Sequence, residues 1–190
     1  MNAIYSALIP ALWALWVVYW LAAARGGKPT RRRESAWSRL SHIGPLAVAI
    51  ALYFPPSRGG GWLFEEFLPR SIASFWIGTA ILAAGLGFSV WARVRLGGNW
   101  SGTVTLKQDH ELIQSGPYRY VRHPIYTGIL TGFSGTAIAL GEWRGLIAIV
   151  LVALAFLRKI TIEERWMQEV FGDRYAQYRR RVRALIPFIL

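Results

Sequence analysis

The stretch "SGPYRYVRHPIYTG", residues 115–128, lies between two apolar segments and holds one histidine, two arginines, three tyrosines, two prolines and two glycines. Gly116-Pro117 is a turn signal, and Pro124 suits the first turn of a helix. His123 therefore sits at or beside the N-terminus of the next apolar run. A chain that turns, gathers charge and then enters an apolar helix is crossing from water into a membrane. This reading makes the fold an all-α integral membrane protein with five transmembrane helices. The fourth and fifth form a short helical hairpin, and a helical cap comes after them on the cytoplasmic side.

The composition fits. The 190 residues are 54% hydrophobic, with a mean hydropathy of +0.31 and ten tryptophans. The apolar runs are Ile4–Ala24, a short one near Ile43–Phe54 that begins at Trp37 if it crosses, Ile72–Trp91, Ile125–Leu140 and Trp143–Leu157. The first is long enough to span, and its bulky tryptophans and lack of a preceding basic residue argue against a cleaved signal. Gly78, Gly85, Gly87, Gly128 and Gly132 are small-residue signals for close helix packing in lipid. The last two runs meet at "GEWRG", residues 141–145.

Charge orients the spans. Nineteen of the 22 basic residues fall between spans one and two, between three and four, or after five; only Arg58, Arg70 and Arg144 fall on the other side. The positive-inside rule places the N-terminus outside and the C-terminus in the cytoplasm. A net charge of +12 raises nucleic acid as a partner, but charges set between apolar spans fit a bilayer instead. Cysteine is absent, and His42, His110 and His123 share no ligand spacing, so neither thiolate nor histidine metal chemistry is expected. Residues 1–92 read as a transmembrane scaffold and residues 93–190 as the part that carries chemistry. In the tail, Ile162, Trp166 and Val170 form one stripe, Gly172 ends a helix, and Tyr175, Tyr178 and Val182 form another stripe.

Two clusters could act. Around His123, helix-terminal N–H groups favour an electron-rich ligand group, and Tyr118, Tyr120 and Tyr126 offer faces to a cation such as a sulfonium. Arg119 and Arg122 could pair with a carboxylate or phosphate. The bland reading is an interfacial anchor. In "IEER", residues 162–165, Lys159 lies one turn before Glu163, and that pair could be a plain surface salt bridge. Glu163 and Glu164 could equally bind a ribose or amino group. No dinucleotide fingerprint, nucleophile elbow or P-loop is present.

The ordered series "HELIQSGPYRYVRHPIYTG" at 110–128, the hairpin, and then "EE" at 163–164 with "FGDRYAQYRRRVRALIPF" at 171–188 resembles the isoprenylcysteine carboxyl methyltransferase family. That family belongs to a wider group that includes the phospholipid methyltransferases. The resemblance covers roughly residues 97–188. It implies an S-adenosylmethionine-dependent integral-membrane methyltransferase whose lipophilic small-molecule substrate enters from the bilayer. It further implies a cofactor pocket of His110, Leu112, Gly116, Tyr118, His123, Pro124, Tyr126 and Glu164. Glu163 would act near the methyl-transfer centre with a basic residue one turn earlier, here Lys159 or Arg158 where relatives carry Arg. The acceptor would be an isoprenylcysteine-like carboxylate or a phospholipid amine. Membrane sterol reductases share the RHPxY element, so an NADPH-dependent reductase is the competing enzyme reading, and a non-catalytic scaffold is the third.

Overall fold

The computed structural model describes residues 3–24, 28–54, 60–100, 105–107 and 111–187. These residues form six helices and one pair of short strands: α1 (Ala3–Ala23), β1 (Thr30–Arg33), α2 (Ala36–Tyr53), α3 (Ile72–Leu96), β2 (Thr105–Lys107), α4 (Pro124–Leu140), α5 (Trp143–Phe171) and α6 (Asp173–Arg181). The segment Ile72–Asn99 and helix α5 are each long and apolar enough to cross a bilayer. The apolar stretches Ala7–Ala23 and Pro124–Leu140 are shorter.

Helix starts obey the local chemistry. Ser35 caps α2 by accepting from Ser38 N–H, and Ser71 and Ser74 form a reciprocal capping box at α3. Pro124 occupies the first turn of α4, and Gly141 ends it in the left-handed region at φ 69°. α5 differs from the sequence expectation. Composition separates the fifth apolar run from the tail at Leu157, whereas one helix of 29 residues runs from Trp143 to Phe171. No proline or glycine interrupts residues 146–171, so the helix continues when its composition turns polar. It breaks where expected, at Gly172 with φ 50°. Val170 does not join the buried stripe; it is exposed while Trp166 is buried.

The small residues explain the tightest contact, between α3 and α4. A Cβ on Gly85 would meet Gly128 O at 2.6 Å, and one on Gly135 would meet Gly78 O at 2.5 Å. Backbone therefore lies on backbone, which only glycine allows. Gly87 takes no part; nothing lies within 4 Å of its Cβ position.

α2 runs antiparallel to α5. At the end away from the strands, the Tyr53 hydroxyl donates to Phe133 O at 2.6 Å and Gly145 O at 3.2 Å. Arg144 donates to Leu52 O and Tyr53 O, and also to Glu142, which Arg70 shares. α1 is fixed by its indoles: Trp13 donates to Thr136 Oγ1 at 3.1 Å and Trp16 to Ser89 Oγ at 2.8 Å. β1 and β2 pair antiparallel, Thr30 opposite Lys107 and Arg33 opposite Thr105. The all-α expectation contains no strand. The pair joins the α1–α2 connection to the α3–α4 connection.

Glycine packing yields a contrast. Gly128→Ala, whose Cβ would meet Gly85 O at 2.5 Å, should destabilise by about 1–3 kcal/mol through overpacking. Gly87→Ala should be neutral or stabilise by up to about 1 kcal/mol through helix propensity. Thermal unfolding of the two variants in detergent checks both.

Candidate functional site

The stretch 115–128 folds as a turn and then a helix start. Gly116 adopts φ 62° and opens a single helical turn, Gly116–Arg119, that buries Pro117 and Tyr118. The C-terminal segment clamps the residues between that turn and α4. Arg122 N–H donates to Arg183 O at 2.8 Å and His123 N–H to Ala184 O at 3.0 Å. Thr127 Oγ1 donates to Leu185 O at 2.8 Å, and the Tyr178 hydroxyl donates to Tyr118 O at 2.5 Å. Each is a strong backbone-directed bond, so the loop is held from behind by residues 178–185.

The two glutamates of α5 then meet this loop. Glu164 Oε1 receives Arg122 Nε at 2.8 Å and Nη2 at 2.6 Å, and Arg179 Nε lies 3.2 Å from Oε2. His123 Nε2 is 3.2 Å from Glu164 Oε1, and its Nδ1 is 3.5 Å from Glu163 Oε2. The Tyr126 hydroxyl donates to Glu163 Oε1 at 2.6 Å. The Tyr126 ring stacks with His123, at 5.6 Å and 7°, and with Phe156, at 4.5 Å and 22°. Lys159 Nζ stands 5.2 Å above the same ring.

Both imidazole nitrogens of His123 face a carboxylate, an arrangement that only the imidazolium satisfies by donating twice. Burial by itself lowers the His123 pKa, but the hydrogen bonds and charges of Glu163 and Glu164 outweigh it, and the net shift is upward. Burial pushes Glu164 up; His123 and Arg122 prevail and hold it down at about 2. Glu163 moves the same way, with burial opposed by His123, Lys159 and Tyr126.

A cavity of about 500 Å³ opens here and runs into the bundle. Of the residues singled out from sequence, Leu112, Tyr118, His123, Pro124, Tyr126, Lys159 and Glu163 line it. Gly116 and Glu164 do not: Gly116 supplies the turn, with Arg95 packed against it, and Glu164 faces Arg122, Arg179 and His123. Lys159 lines the cavity and Arg158 is exposed. His110 lies outside the described residues. Arg119 is exposed and rests on the Tyr120 ring.

The far wall of the cavity lies outside every motif of the sequence. Trp13 and Trp16 of α1, Leu46 and Tyr53 of α2, and Phe133 of α4 line the inner end, and Trp20 carries the wall on toward Trp100. The rings form a chain: Phe133 to Trp13 at 5.2 Å, Trp13 to Trp16 at 5.8 Å, and Trp16 to Trp20 at 4.4 Å. Trp13, Trp16 and Trp20 share one face of α1 at helical spacing, the signal that could have revealed it.

Comparisons with known proteins identify a family and a fold. The family model described as phospholipid methyltransferase matches residues 73–174. The protein-S-isoprenylcysteine O-methyltransferase of Schizosaccharomyces pombe is 37% identical over 131 residues, covering 66% of this chain and 56% of that one. The chain thus spans little more than half of that relative's length. A probable protein-S-isoprenylcysteine O-methyltransferase of Oryza sativa subsp. indica is 31% identical over 179 residues, covering 90% of this chain and 88% of that one. Among solved structures, the eukaryotic intramembrane Ras methyltransferase, an isoprenylcysteine carboxyl methyltransferase, superposes with a TM-score of 0.56 at 24% identity. It covers 84% of this chain and 55% of that one, and shows a shared fold.

The His123–glutamate node sets a pH dependence. Because the folded-state pKa of His123 is raised, its contribution is complete below about 6.5 and is lost as pH rises through the folded value. The unfolding midpoint should therefore decline on the alkaline side. Glu164→Gln removes one of the two carboxylates and should shrink that decline. It should also cost about 3 kcal/mol at neutral pH by leaving Arg122 buried with half its partner. Thermal melts of both proteins across pH 5.5–9 (roughly the His window) test the sign.

Proposed function

The chain belongs to the isoprenylcysteine carboxyl methyltransferase family, and we propose that it transfers a methyl group from S-adenosylmethionine to a lipophilic acceptor at the membrane boundary. The observation that carries this reading is the junction at Tyr126. There a cavity lined by aromatic and aliphatic side chains meets Glu163, His123 and Lys159. The donor set fits the cofactor. A sulfonium and an ammonium are cations, and Glu163 offers them a carboxylate at the cavity wall. Leu112, Tyr118, His123, Pro124, Tyr126 and Glu163 would hold it, with His110 expected beside them and Gly116 and Glu164 shaping the wall from behind. Bound there, S-adenosylmethionine supplies an activated methyl group on sulfur.

The chain's own residues do the rest. The Tyr126 hydroxyl and His123 fix the Glu163 carboxylate, so its direction is set before any ligand arrives. Lys159 places a cation on the same side of α5, one helical turn before Glu163. An isoprenylcysteine-like carboxylate is ionised at neutral pH and needs that cation, with no base; an amine acceptor would lose its proton to Glu163 instead. The apolar inner end of the cavity suits the acceptor's tail and keeps water out. The charge distribution supports five spans, an outside N-terminus and a site that faces the cytoplasm, with residues 1–92 forming much of the tail's wall and residues 93–190 the chemistry.

The state of Arg122 weighs against the NADPH-dependent reductase. A reductase would need Arg119 or Arg122 for a 2′-phosphate, but the Arg122 guanidinium is taken up by Glu164 and by Val182 O, and Arg119 is exposed on the Tyr120 ring. Thermal shift of the detergent-purified chain separates the two. S-adenosylhomocysteine at 100 times its dissociation constant should stabilise by about 2.7 kcal/mol, and NADPH should not. A shift with NADPH alone sinks the methyltransferase reading. Labelled S-adenosylmethionine incubated with an S-prenylated cysteine, and separately with a phospholipid amine, identifies the acceptor by product. A carboxyl methyl ester is the expected one.

A further inference from the structure

The cytoplasmic end of the cavity contains a wall that neither the motifs nor the Glu163–Lys159 turn uses. Trp166 lies three residues beyond Glu163, on the same side of α5 and nearly one turn further from the apolar half. Its indole is buried, at 7% exposure, and lines the cavity. The Arg32 guanidinium, delivered by β1, lies 4.4 Å from the indole centroid and pairs with Glu169 at 2.7 Å. Arg32 is half-exposed and is not among the cavity's lining residues. It therefore covers the indole from the side turned away from the cavity.

The other flat side chains at this end are taken up. Arg93 lies 4.5 Å over Trp100, whose edge contact is Trp20 at 5.8 Å. Tyr126 is packed against His123, Phe156 and the Lys159 ammonium. Tyr118 packs with Ala92 and Ile125, and Tyr175 and Tyr178 meet edge-on at 6.1 Å. Trp166 combines a cavity position with a cation fixed behind the ring.

We propose that Trp166 is the stacking platform for the flat purine base of the cofactor, and that Arg32 is a positioning residue that holds the indole from outside. The proposal rests on the S-adenosylmethionine reading above. The reacting groups cluster at Tyr126 and Glu163, and the inner end beyond them is apolar. The polar nucleoside must then extend the other way, toward the cytoplasmic turn of α5 where Trp166 stands. A base stacks on any aromatic face without needing a hydrogen-bond code, and a planar guanidinium restrains such a ring by stacking on it. Because Arg32 arrives on β1, the two-stranded pair ties the α1–α2 connection to cofactor binding.

Calorimetric titration of the detergent-purified chain tests this with two ligands. One is S-adenosylhomocysteine; the other is methylthioadenosine, which keeps the base and ribose and lacks the amino-acid end. Trp166→Leu should weaken both ligands by a similar factor, about tenfold or more, and Trp166→Phe should retain most of the affinity. Arg32→Gln should weaken both by about threefold, and Arg32→Lys should recover part of that loss because an ammonium also sits over an indole. Should Trp166→Leu fail to fold, Trp166→Met keeps the bulk and removes the ring, and Arg32→Gln leaves the core untouched. Equal binding by wild type and the ring-less variants overturns the proposal. So does a loss confined to S-adenosylhomocysteine, which would put Trp166 at the amino-acid end. A wild-type chain that binds neither ligand defeats the methyltransferase reading itself, and the platform with it.

Discussion

Two adjacent carboxylates on a helix cannot face the same way. Successive side chains diverge by about 100°, so Glu163 and Glu164 are sent in different directions by geometry alone. Glu163 turns to the cavity, where Tyr126 and His123 fix it. Glu164 turns to Arg122 and Arg179, buried at 8% exposure. His123 bridges the two. Everything else at the site hangs from this divergence. Glu164 draws the 116–123 turn and the 179–185 segment onto α5, which leaves Glu163 as the carboxylate open to a ligand. A single glutamate could not both hold the loop and face the cavity.

The continuity of α5 gives this arrangement its place in the membrane. The apolar half ends at Leu157, and Glu163 comes six residues later, about 9 Å further along the axis. A break at the change of composition would have freed the tail to pack anywhere. An unbroken helix instead carries Lys159, Glu163 and Trp166 outward at fixed rise and angle. The apolar and the polar parts of the cavity wall are then supplied by opposite ends of one rod. α2, locked to the first turn of α5 through Arg144 and Tyr53, keeps the opposing wall in register, and Arg32 just before it reaches the last turns of α5.

The helical elements were legible because their signals are local. Apolar length, Pro124 and Gly172 are read from the chain itself, and they placed the apolar helices, the start of α4 and the break before α6. The glycine contacts of α3 and α4 were half legible. Small residues announce a close approach, but only the partner decides which of them is used, and Gly87 faces away. The site's aromatic wall and the strand pair were not legible in practice. Trp13 meets Thr136 across 123 residues of sequence and Arg32 meets Glu169 across 137. No local propensity encodes such meetings. The glutamates show the same limit: beside Lys159, Glu163 reads as half of a surface salt bridge, and nothing nearby in sequence announces Tyr126 as its partner.

In the proposed reaction, a lysine at position 159 in place of an arginine has a physical consequence. A guanidinium grips a carboxylate through two parallel bonds and demands that geometry of its partner; an ammonium is a compact charge without a preferred plane. Here the ammonium stands over the Tyr126 ring, whose hydroxyl is already committed to Glu163. The cation is thus steadied by a face and not by a fork, and it can follow an acceptor that arrives at a different angle. Orientation of the acceptor then falls to the walls of the cavity. Trp13, Trp16, Tyr53 and Phe133 are held by hydrogen bonds to neighbouring helices or by stacking on one another. Such a wall selects by the shape of the tail, while Lys159 asks only for a negative charge within reach.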